Sequence, residues 1–543
     1  MTDPAATPGW GALAMLFGVV VASVWLGTAA SRVAASGRGR GGFVTSYFLG
    51  NRALGAWALA LTATVQSGGT FMGFPALVYS HGWVVALWIA PYMVIPLTGL
   101  AVLGKRMAQL SRRTGAVTVP DLFRARFASP TLGLVSSLLI LFYMSFMMVA
   151  QFKAGALIMK IAWPGTGALA LAEDAAGGLD RAYFVGLALF SLVVVGYTVI
   201  GGFLAAVWTD LFQSVLMLLG VLILLPLALF AAGGMEQATL TAVANTGPEF
   251  AWAPGYDEAG RAFHTPGLLF SYFFVFIFSG LGSPAGLVRV MASKSSANIR
   301  RSVVLLGVYN MWIYLPLVVI CIAARTVLPS LSSADEVIPR LAFATTRDLP
   351  LGLLVAGLIL AALGAVMVTV SGYLVVISSG LVRDVYQRFF RPDAGDAELR
   401  RLTHLSMVAV GAFAVLANLR PVAYLQAVVV FSSASAAATF VVPALMTAFW
   451  RRATTAGALS AMLLGSATML ALYAAGWVLA WQGYDPMIGP ATSFRPYYPL
   501  GLEPIVFGLA VSLASGVLVS LFTQPPPPEV VAPLFGPPEG MKS

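Results

Sequence analysis

Two stretches of the chain combine polar groups that bind ions and solutes with residues that interrupt helices. The first runs from Thr64 to Pro75 (TVQSGGTFMGFP), and the second runs from Ser279 to Pro284 (SGLGSP). Each lies inside an apolar segment, and glycine and proline are the poorest helix formers. In such a break, bare carbonyls can coordinate a cation and half-helix N-termini favour an anion. The other interpretation is close helix packing through small residues.

Three of the charged side chains that lie within apolar segments are considered for a functional role. Lys153 follows Gln151 and is a candidate counter-charge for a substrate carboxylate; packing, or reaching along its aliphatic stem to the interface, is the alternative. Lys160 is expected to reach the interface. Asp210 caps the start of a helix or lines an exit for a cation, and its position favours neither.

A hydroxyl in another apolar stretch has two possible roles. Thr369 can bond to the carbonyl one turn earlier, as Thr often does in helices, or it can supply a hard oxygen ligand to Na⁺. Ala365 would add a carbonyl to such a site only where the helix is locally distorted.

The composition excludes several classes of protein. The 543 residues are 59% hydrophobic and only 10% charged, whereas soluble domains carry about 25% charged residues. Disordered chains are polar and charge-rich, so disorder is excluded as well. A single cysteine, Cys321, excludes an intrachain disulfide, and three histidines make a multi-histidine metal site unexpected. The class that fits is an all-α, polytopic membrane protein that lies in a lipid bilayer.

Apolar runs long enough to cross a bilayer predict about thirteen transmembrane helices. The first is expected to be an uncleaved helix, because no basic segment precedes it. The predicted spans are 11–30, 53–80, 83–103, 131–161, 182–202, 205–232, 265–292, 302–324, 350–382, 402–418, 423–449, 454–477 and 502–522.

The distribution of positive charge predicts the orientation. With the N-terminus outside and the C-terminus in the cytoplasm, most of the 31 Lys and Arg residues fall in cytoplasmic loops. The net charge of +10 is therefore a topology signal, and no nucleic-acid partner is expected. A multi-pass protein of the cell membrane is predicted.

The interrupted spans occupy corresponding positions in two sets of five helices. An odd number of helices gives the two sets opposite orientations, which is typical of secondary transporters with a site at the bilayer midplane. The predicted division is an extra helix and linker at 1–52, repeats at 53–232 and 265–449, two helices at 450–523 and a proline-rich tail at 524–543.

Other classes of function fit the sequence less well. No HExxH or GxSxG motif and no intramembrane carboxylate pair is present, so an enzyme is not expected. A sensor would need an output domain, for which the tail is too short. A channel remains an alternative, and saturable, gradient-coupled uptake would distinguish a carrier from it.

Several motifs in order resemble the sodium:solute symporter family, across about 45–525. The resemblance implies a leucine-transporter-like fold with a five-plus-five inverted repeat, and sodium-coupled solute transport by alternating access. The residues that carry it are Tyr47–Arg52, Gly73–Pro75, Tyr197–Gln213, Gly282–Ala292, Asp335–Pro339, Ala361–Thr369 and Ser378–Tyr386.

The resemblance implies a Na⁺ site between the second and ninth spans. Carbonyls of Ala63, Gln66 and Ala365 would coordinate the ion together with the hydroxyl of Thr369. The family pattern has a second hydroxyl where this chain has Val368. Proton coupling is therefore kept as the alternative, and the resemblance places Asp210 where it would assist ion release.

The segment Met148–Lys153 looks most like the pantothenate and monocarboxylate branch, which implies a small, anionic solute. An amino acid or a sugar is the alternative, and no obligate protein partner is expected. The predicted substrate residues are Gln66, Ser67, Gly68, Gly69, Gln151, Lys153, Tyr272 and Asn310.

Overall fold

Helices make up nearly all of the computed structural model. The residues that the structure describes are 10–36, 42–63, 68–162, 181–252, 265–363, 365–420, 425–483 and 494–536. Within these ranges, one isolated parallel bridge joins Leu54 to Ser293 and no strand is present. The predicted all-α membrane fold is confirmed.

The described residues in the first half of the chain form ten α-helices. Irregular helical turns at Gly69–Gly73, Gly82–Trp88 and Pro96–Gly104 connect some of them. The helices are α1 Trp10–Ser36, α2 Gly42–Leu49, α3 Ala56–Ala63, α4 Phe74–His81, α5 Ile89–Ile95, α6 Lys105–Thr114, α7 Val119–Phe127, α8 Pro130–Ala162, α9 Arg181–Ala231 and α10 Met235–Thr246.

Eleven more α-helices lie in the part of the second half that the structure describes. A wide helical turn at Gly380–Phe390 extends one of them. They are α11 Pro266–Gly282, α12 Pro284–Met291, α13 Ser296–Val327, α14 Val337–Thr346, α15 Gly352–Leu363, α16 Ala365–Ser379, α17 Asp396–Ala417, α18 Leu425–Phe449, α19 Thr455–Trp481, α20 Pro504–Phe522 and α21 Pro528–Phe535.

Ten helical runs among the described residues are long and apolar enough to span a membrane, or eleven if α11 and α12 count as one. The predicted number, thirteen, is not confirmed. One reason is that the second and third predicted spans merge into a single run, Gly69–Thr114, of 46 residues. Such a helix would be about 70 Å long, more than twice the bilayer core. Gly82, with φ of 71°, interrupts it.

Both predicted interruptions have a counterpart in the structure. In the first span, α3 reaches Ala63, residues 64–67 lie outside the described residues, and the wide turn Gly69–Gly73 precedes α4. The second bends by 41° between α11 and α12. There Ser283 is extended (ψ 114°) and its Oγ accepts the Gly286 N–H, 3.3 Å away. Pro284 has no N–H to donate, so the helix restarts at this point.

Arginine residues are concentrated at one end of the helical bundle. We call one end the basic face; it holds α6, α7, the loop 450–452 and α21, with many arginines. The opposite face holds α10, α14 and the segment 494–503. At the basic face, the Leu54–Ser293 bridge joins the start of α3 to the end of α12, through Leu54 N–H donating to Ala292 O and Lys294 N–H donating to Leu54 O.

Candidate functional site

A cavity of about 140 Å³ receives residues from both interrupted spans. Thr70 comes from the first break, and Ser279, Gly280 and Ser283 come from the second. Helices α5, α8, α11, α12, α13, α16 and α18 and the turn Pro96–Gly104 supply the rest of the wall. Its polar lining residues are Thr70, Tyr92, Ser279, Ser283, Asn310, Tyr314, Tyr373 and Ser433.

Hydrogen bonds and ring contacts fix one wall of this cavity. The Tyr314 and Thr70 hydroxyls lie 3.1 Å apart, which links α13 to the first break. Asn310 Nδ2 donates to the Tyr92 carbonyl at 3.0 Å. The Tyr92 ring stacks on Tyr314 and also contacts Phe276, with centroid distances of 4.3 and 4.4 Å. The wall is therefore amphipathic: aromatic faces surround a few hydroxyl and amide groups.

The other wall presents the N-terminal end of a helix. Ser283, Gly286 and Leu287 belong to the first turn of α12 and line the cavity. The aligned peptide dipoles make this end of a helix favourable for negative charge. Ser279 Oγ is buried and makes no hydrogen bond within the described part of the chain. No charged side chain is among the described lining residues, so the polar side chains of the cavity are neutral hydroxyls and an amide that can bind a solute by hydrogen bonds.

Four predicted substrate residues belong to the first break. Gln66 and Ser67 lie outside the described residues. Gly68 and Gly69 are buried, and the Gly68 N–H donates to Gln151 Oε1 at 2.6 Å. Gln151, itself fully buried on α8, therefore satisfies a backbone group that the break sets free. These roles at a substrate site remain predictions.

Lys153 forms a buried ion pair instead of facing the cavity. Its Nζ lies 2.5 Å from Asp335 Oδ2, and the two side chains are 8% and 1% exposed. Asp335 also accepts the Leu425 N–H. Burial raises the pKa of the Asp335 carboxyl, and the ammonium of Lys153 opposes that rise. The charge of Lys153 is thus already matched, and its predicted role at a substrate carboxylate has no geometric support. Lys160, expected to reach the interface, lies 3.9 Å from Glu336.

The last two predicted substrate residues, Asn310 and Tyr272, line different cavities. Asn310 lines the main cavity. Tyr272 stacks on Trp88, 4.2 Å between centroids, and lines a second, smaller cavity of about 20 Å³ toward the opposite face. Glu503 lines the same small cavity; its Oε2 accepts the Ile505 N–H, while its buried Oε1 has no partner among the described residues. Burial raises the pKa of Glu503 to about 8.

The predicted cation ligands are only partly described. Ala63 ends α3, Ala365 begins α16, and Gln66 lies outside the described residues. Thr369 is fully buried beside Val368, which is 2% exposed. Gly364, the residue before Ala365, lies outside the described residues. The cation site stays a prediction.

Asp210 is paired with an arginine from the second interrupted span. Arg289 Nη2 donates to Asp210 Oδ2 at 2.8 Å, and both residues are buried. Asp210 Oδ1 has no partner among the described residues. The pair joins α12 to α9 near the basic face. Its predicted part in ion release is not tested by this geometry.

Sequence reasoning missed most residues that line the main cavity. Tyr92, Tyr314 and Tyr373 were not predicted, because their place at the cavity depends on how the helices pack. A usable signal was the spacing of Asn310 and Tyr314, which puts two polar groups on one face of α13. Thr70 lies three residues beyond the predicted Ser67.

Comparisons with known proteins agree with this architecture. A family model described as the sodium:solute symporter family matches residues 47–465. The sodium/pantothenate symporter of Escherichia coli (strain K12) is 30% identical over 473 residues, which cover 83% of this chain and 88% of that protein. The osmoregulated proline transporter OpuE of Bacillus subtilis (strain 168) is 27% identical, with 89% and 90% covered.

A solved structure has the same fold. It is a Na⁺-coupled sialic acid symporter in a substrate-bound outward-open state. The TM-score is 0.67 at 20% sequence identity, and the match covers 95% of this chain and 99% of that one. The similarity extends over almost the whole of both chains.

Proposed function

Because the chain belongs to the sodium:solute symporter family, we propose that the cavity between its two interrupted spans binds a small carboxylate-bearing solute, such as pantothenate or a monocarboxylate. The chain is a sodium-coupled secondary transporter of a small molecule and is not an enzyme. The observation that carries the proposal is the convergence of both breaks on one cavity.

The chemistry of the cavity supports a carboxylate. The first turn of α12 offers the positive end of a helix, and Ser279 Oγ is available as a donor beside it. The aromatic wall suits the apolar part of such a solute. The relative that carries pantothenate in its name is 30% identical to this chain, above the proline transporter OpuE at 27%.

Sodium in the predicted site would be held by hard oxygens from the first break and α16. We propose Ala63, Gln66, Ala365 and Thr369 as its ligands, with water in the place where the family pattern has a hydroxyl and this chain has Val368. Ion and solute would each improve the binding of the other, as coupling requires. The pair of Asp210 and Arg289 would then open to release the ion.

The proposed orientation places the basic face in the cytoplasm and the N-terminus outside, in the cell membrane. The arginine-rich loops of that face support it, since positive loops stay on the cytoplasmic side. We also propose that 53–232 and 265–449 are the two inverted repeats, and that transport needs no other protein.

Uptake by the purified protein in vesicles tests the substrate. An inward Na⁺ gradient should drive uptake of radiolabelled pantothenate or a short monocarboxylate, with proline and glucose as solutes of other classes. Ser279→Ala should raise KM about tenfold, because a hydrogen bond to a charged group is worth about 1.5 kcal/mol or more. Ser145→Ala is the control, since that hydroxyl donates to the Leu141 carbonyl. Carboxylate uptake unaffected by Ser279→Ala would reject this site, and uptake of only proline or glucose would reject the solute class.

The sodium site has its own test, which needs no solute. The thermal midpoint should be higher in Na⁺ than in K⁺ at equal ionic strength, since a ligand that binds only the folded state stabilises it. Thr369→Val should remove the difference. Equal midpoints for the unmodified protein in both salts would count against the proposed ligands.

A further inference from the structure

The C-terminal segment packs on a group of four arginines at the basic face. We call Arg106, Arg113, Arg126 and Arg451 the arginine surface. Arg106 and Arg113 come from α6, Arg126 from α7, and Arg451 from the loop after α18. Their guanidinium groups converge on the last turn of α21.

The segment meets this surface with neutral carbonyl groups. Arg106 donates to the Leu534 carbonyl at 3.0 Å, and Arg451 donates to the Phe535 carbonyl at 3.2 Å. Arg113 Nη1 shares the carbonyls of Pro533, Leu534 and Gly536, at 3.3, 2.8 and 3.0 Å.

The Phe535 ring lies among three of the guanidinium groups. The Cζ atoms of Arg106, Arg126 and Arg451 lie 4.8, 5.3 and 5.6 Å from its centroid. Leu534 beside it is buried, and Phe535 is half-buried. The ring and the carbonyls thus occupy a place where four positive charges meet.

No carboxylate balances these charges among the residues that the structure describes. Arg126 has the greatest need of a counter-ion among the four, because it is fully buried. Its Nη2 donates to the carbonyls of Trp450 and Arg451, but its Nε and Nη1 have no partner within the described residues. A buried guanidinium without a counter-ion is costly, and phosphate oxygens are the acceptors that fit its fork.

We propose that the arginine surface is a binding site for the phosphate of an anionic phospholipid, and that the segment Pro528–Gly536 covers this site and is displaced when the lipid binds. The surface lies where membrane helices end, beside the headgroup region, and basic pockets at such ends bind anionic headgroups. A phosphate forms charge-assisted bonds that are stronger than bonds to neutral carbonyls. The prolines at 525–527 precede α21, favour an extended chain and keep the segment close after release.

The consequence concerns the cytoplasmic ends of two helices that line the transport cavity. α6 continues the run that carries Tyr92 and Gly99, and Arg451 follows α18, which carries Ser433. The segment ties these two ends together while it is bound. Release by lipid would free them to separate.

Binding of short-chain lipids to the purified full-length protein tests the proposal. The ligands are dihexanoyl phosphatidylglycerol, dihexanoyl phosphatidylcholine and inorganic phosphate, titrated below the lipids' micelle concentration at fixed ionic strength. Phosphatidylglycerol should raise the thermal midpoint and phosphatidylcholine should not. If inorganic phosphate raised the thermal midpoint as much as phosphatidylglycerol does, the proposal that the phosphate belongs to a lipid would be wrong.

Two variants distinguish lipid binding by the arginine surface from competition by the C-terminal segment. Phe535→Ala should lower the Kd for phosphatidylglycerol at least about fivefold, because the competing segment is weakened. Arg113→Gln should raise that Kd about tenfold, while Arg301→Gln, an exposed arginine of the same face, should leave it unchanged. An unchanged Kd in Phe535→Ala would overturn the covering role, and equal effects of Arg113→Gln and Arg301→Gln would overturn the site.

Discussion

At the scale of single residues, the fold is expected to depend on both members of the pair of Lys153 and Asp335 being present. Removing one partner leaves a buried charge alone, which costs about 3 to 5 kcal/mol. Asp335→Asn should therefore lower the free energy of unfolding by about that amount, and Lys153→Met should do the same. The double variant Lys153→Met with Asp335→Asn should lose less than the sum of the two single variants in a double-mutant cycle. Additive losses would show that the two side chains do not interact.

Glu503 gives a second prediction at this scale, for the dependence of stability on pH. Its raised pKa means that the folded state keeps a proton which the unfolded state releases. Stability should be constant below about pH 4.5, fall as pH rises to about 8, and level off above it. Thermal midpoints measured from pH 4 to 9 should show this fall, and Glu503→Gln should abolish it. A fall of equal size in Glu503→Gln would assign it to another group.

At the scale of helices, the first break depends on a close approach that only glycine permits. A Cβ on Gly68 would lie 2.6 Å from the Ala154 Cβ and 3.1 Å from Gln151 Oε1. Gly68→Ala should push the break away from α8, lower the maximal uptake rate at least about tenfold and lower the thermal midpoint. Gly196→Ala is the matched control, because nothing lies within 4 Å of its Cβ position. Equal uptake by both variants would show that the close approach is dispensable.

Some features of these helices can be predicted from the sequence alone, and others cannot. The break between α11 and α12 was predictable, because Ser283 and Pro284 determine it locally. The partner of Lys153 was not, because Asp335 is 182 residues away and only tertiary packing brings them together. Tyr92 was missed for the same reason: hydropathy locates a span, but it does not specify which side of the helix faces a cavity.

At the scale of the whole molecule, the proposed orientation predicts which loops a reagent can reach. Cys321 is buried, so the unmodified protein should give little background with a membrane-impermeant maleimide. Gln237→Cys, on exposed α10 of the opposite face, should be labelled in intact cells. Asp393→Cys, exposed at the basic face, should react only after the cells are opened. The reverse pattern would invert the proposed topology.

The bridge between Leu54 and Ser293 has a mechanical consequence. It joins the two half-helices that lead from the basic face to the two breaks, through hydrogen bonds of 3.1 and 2.9 Å. Because this bridge fixes one end of α3 to one end of α12, the two half-helices are expected to move together. We therefore expect a displacement of α3 at the first break to move α12 at the second, without a relay of side chains between them.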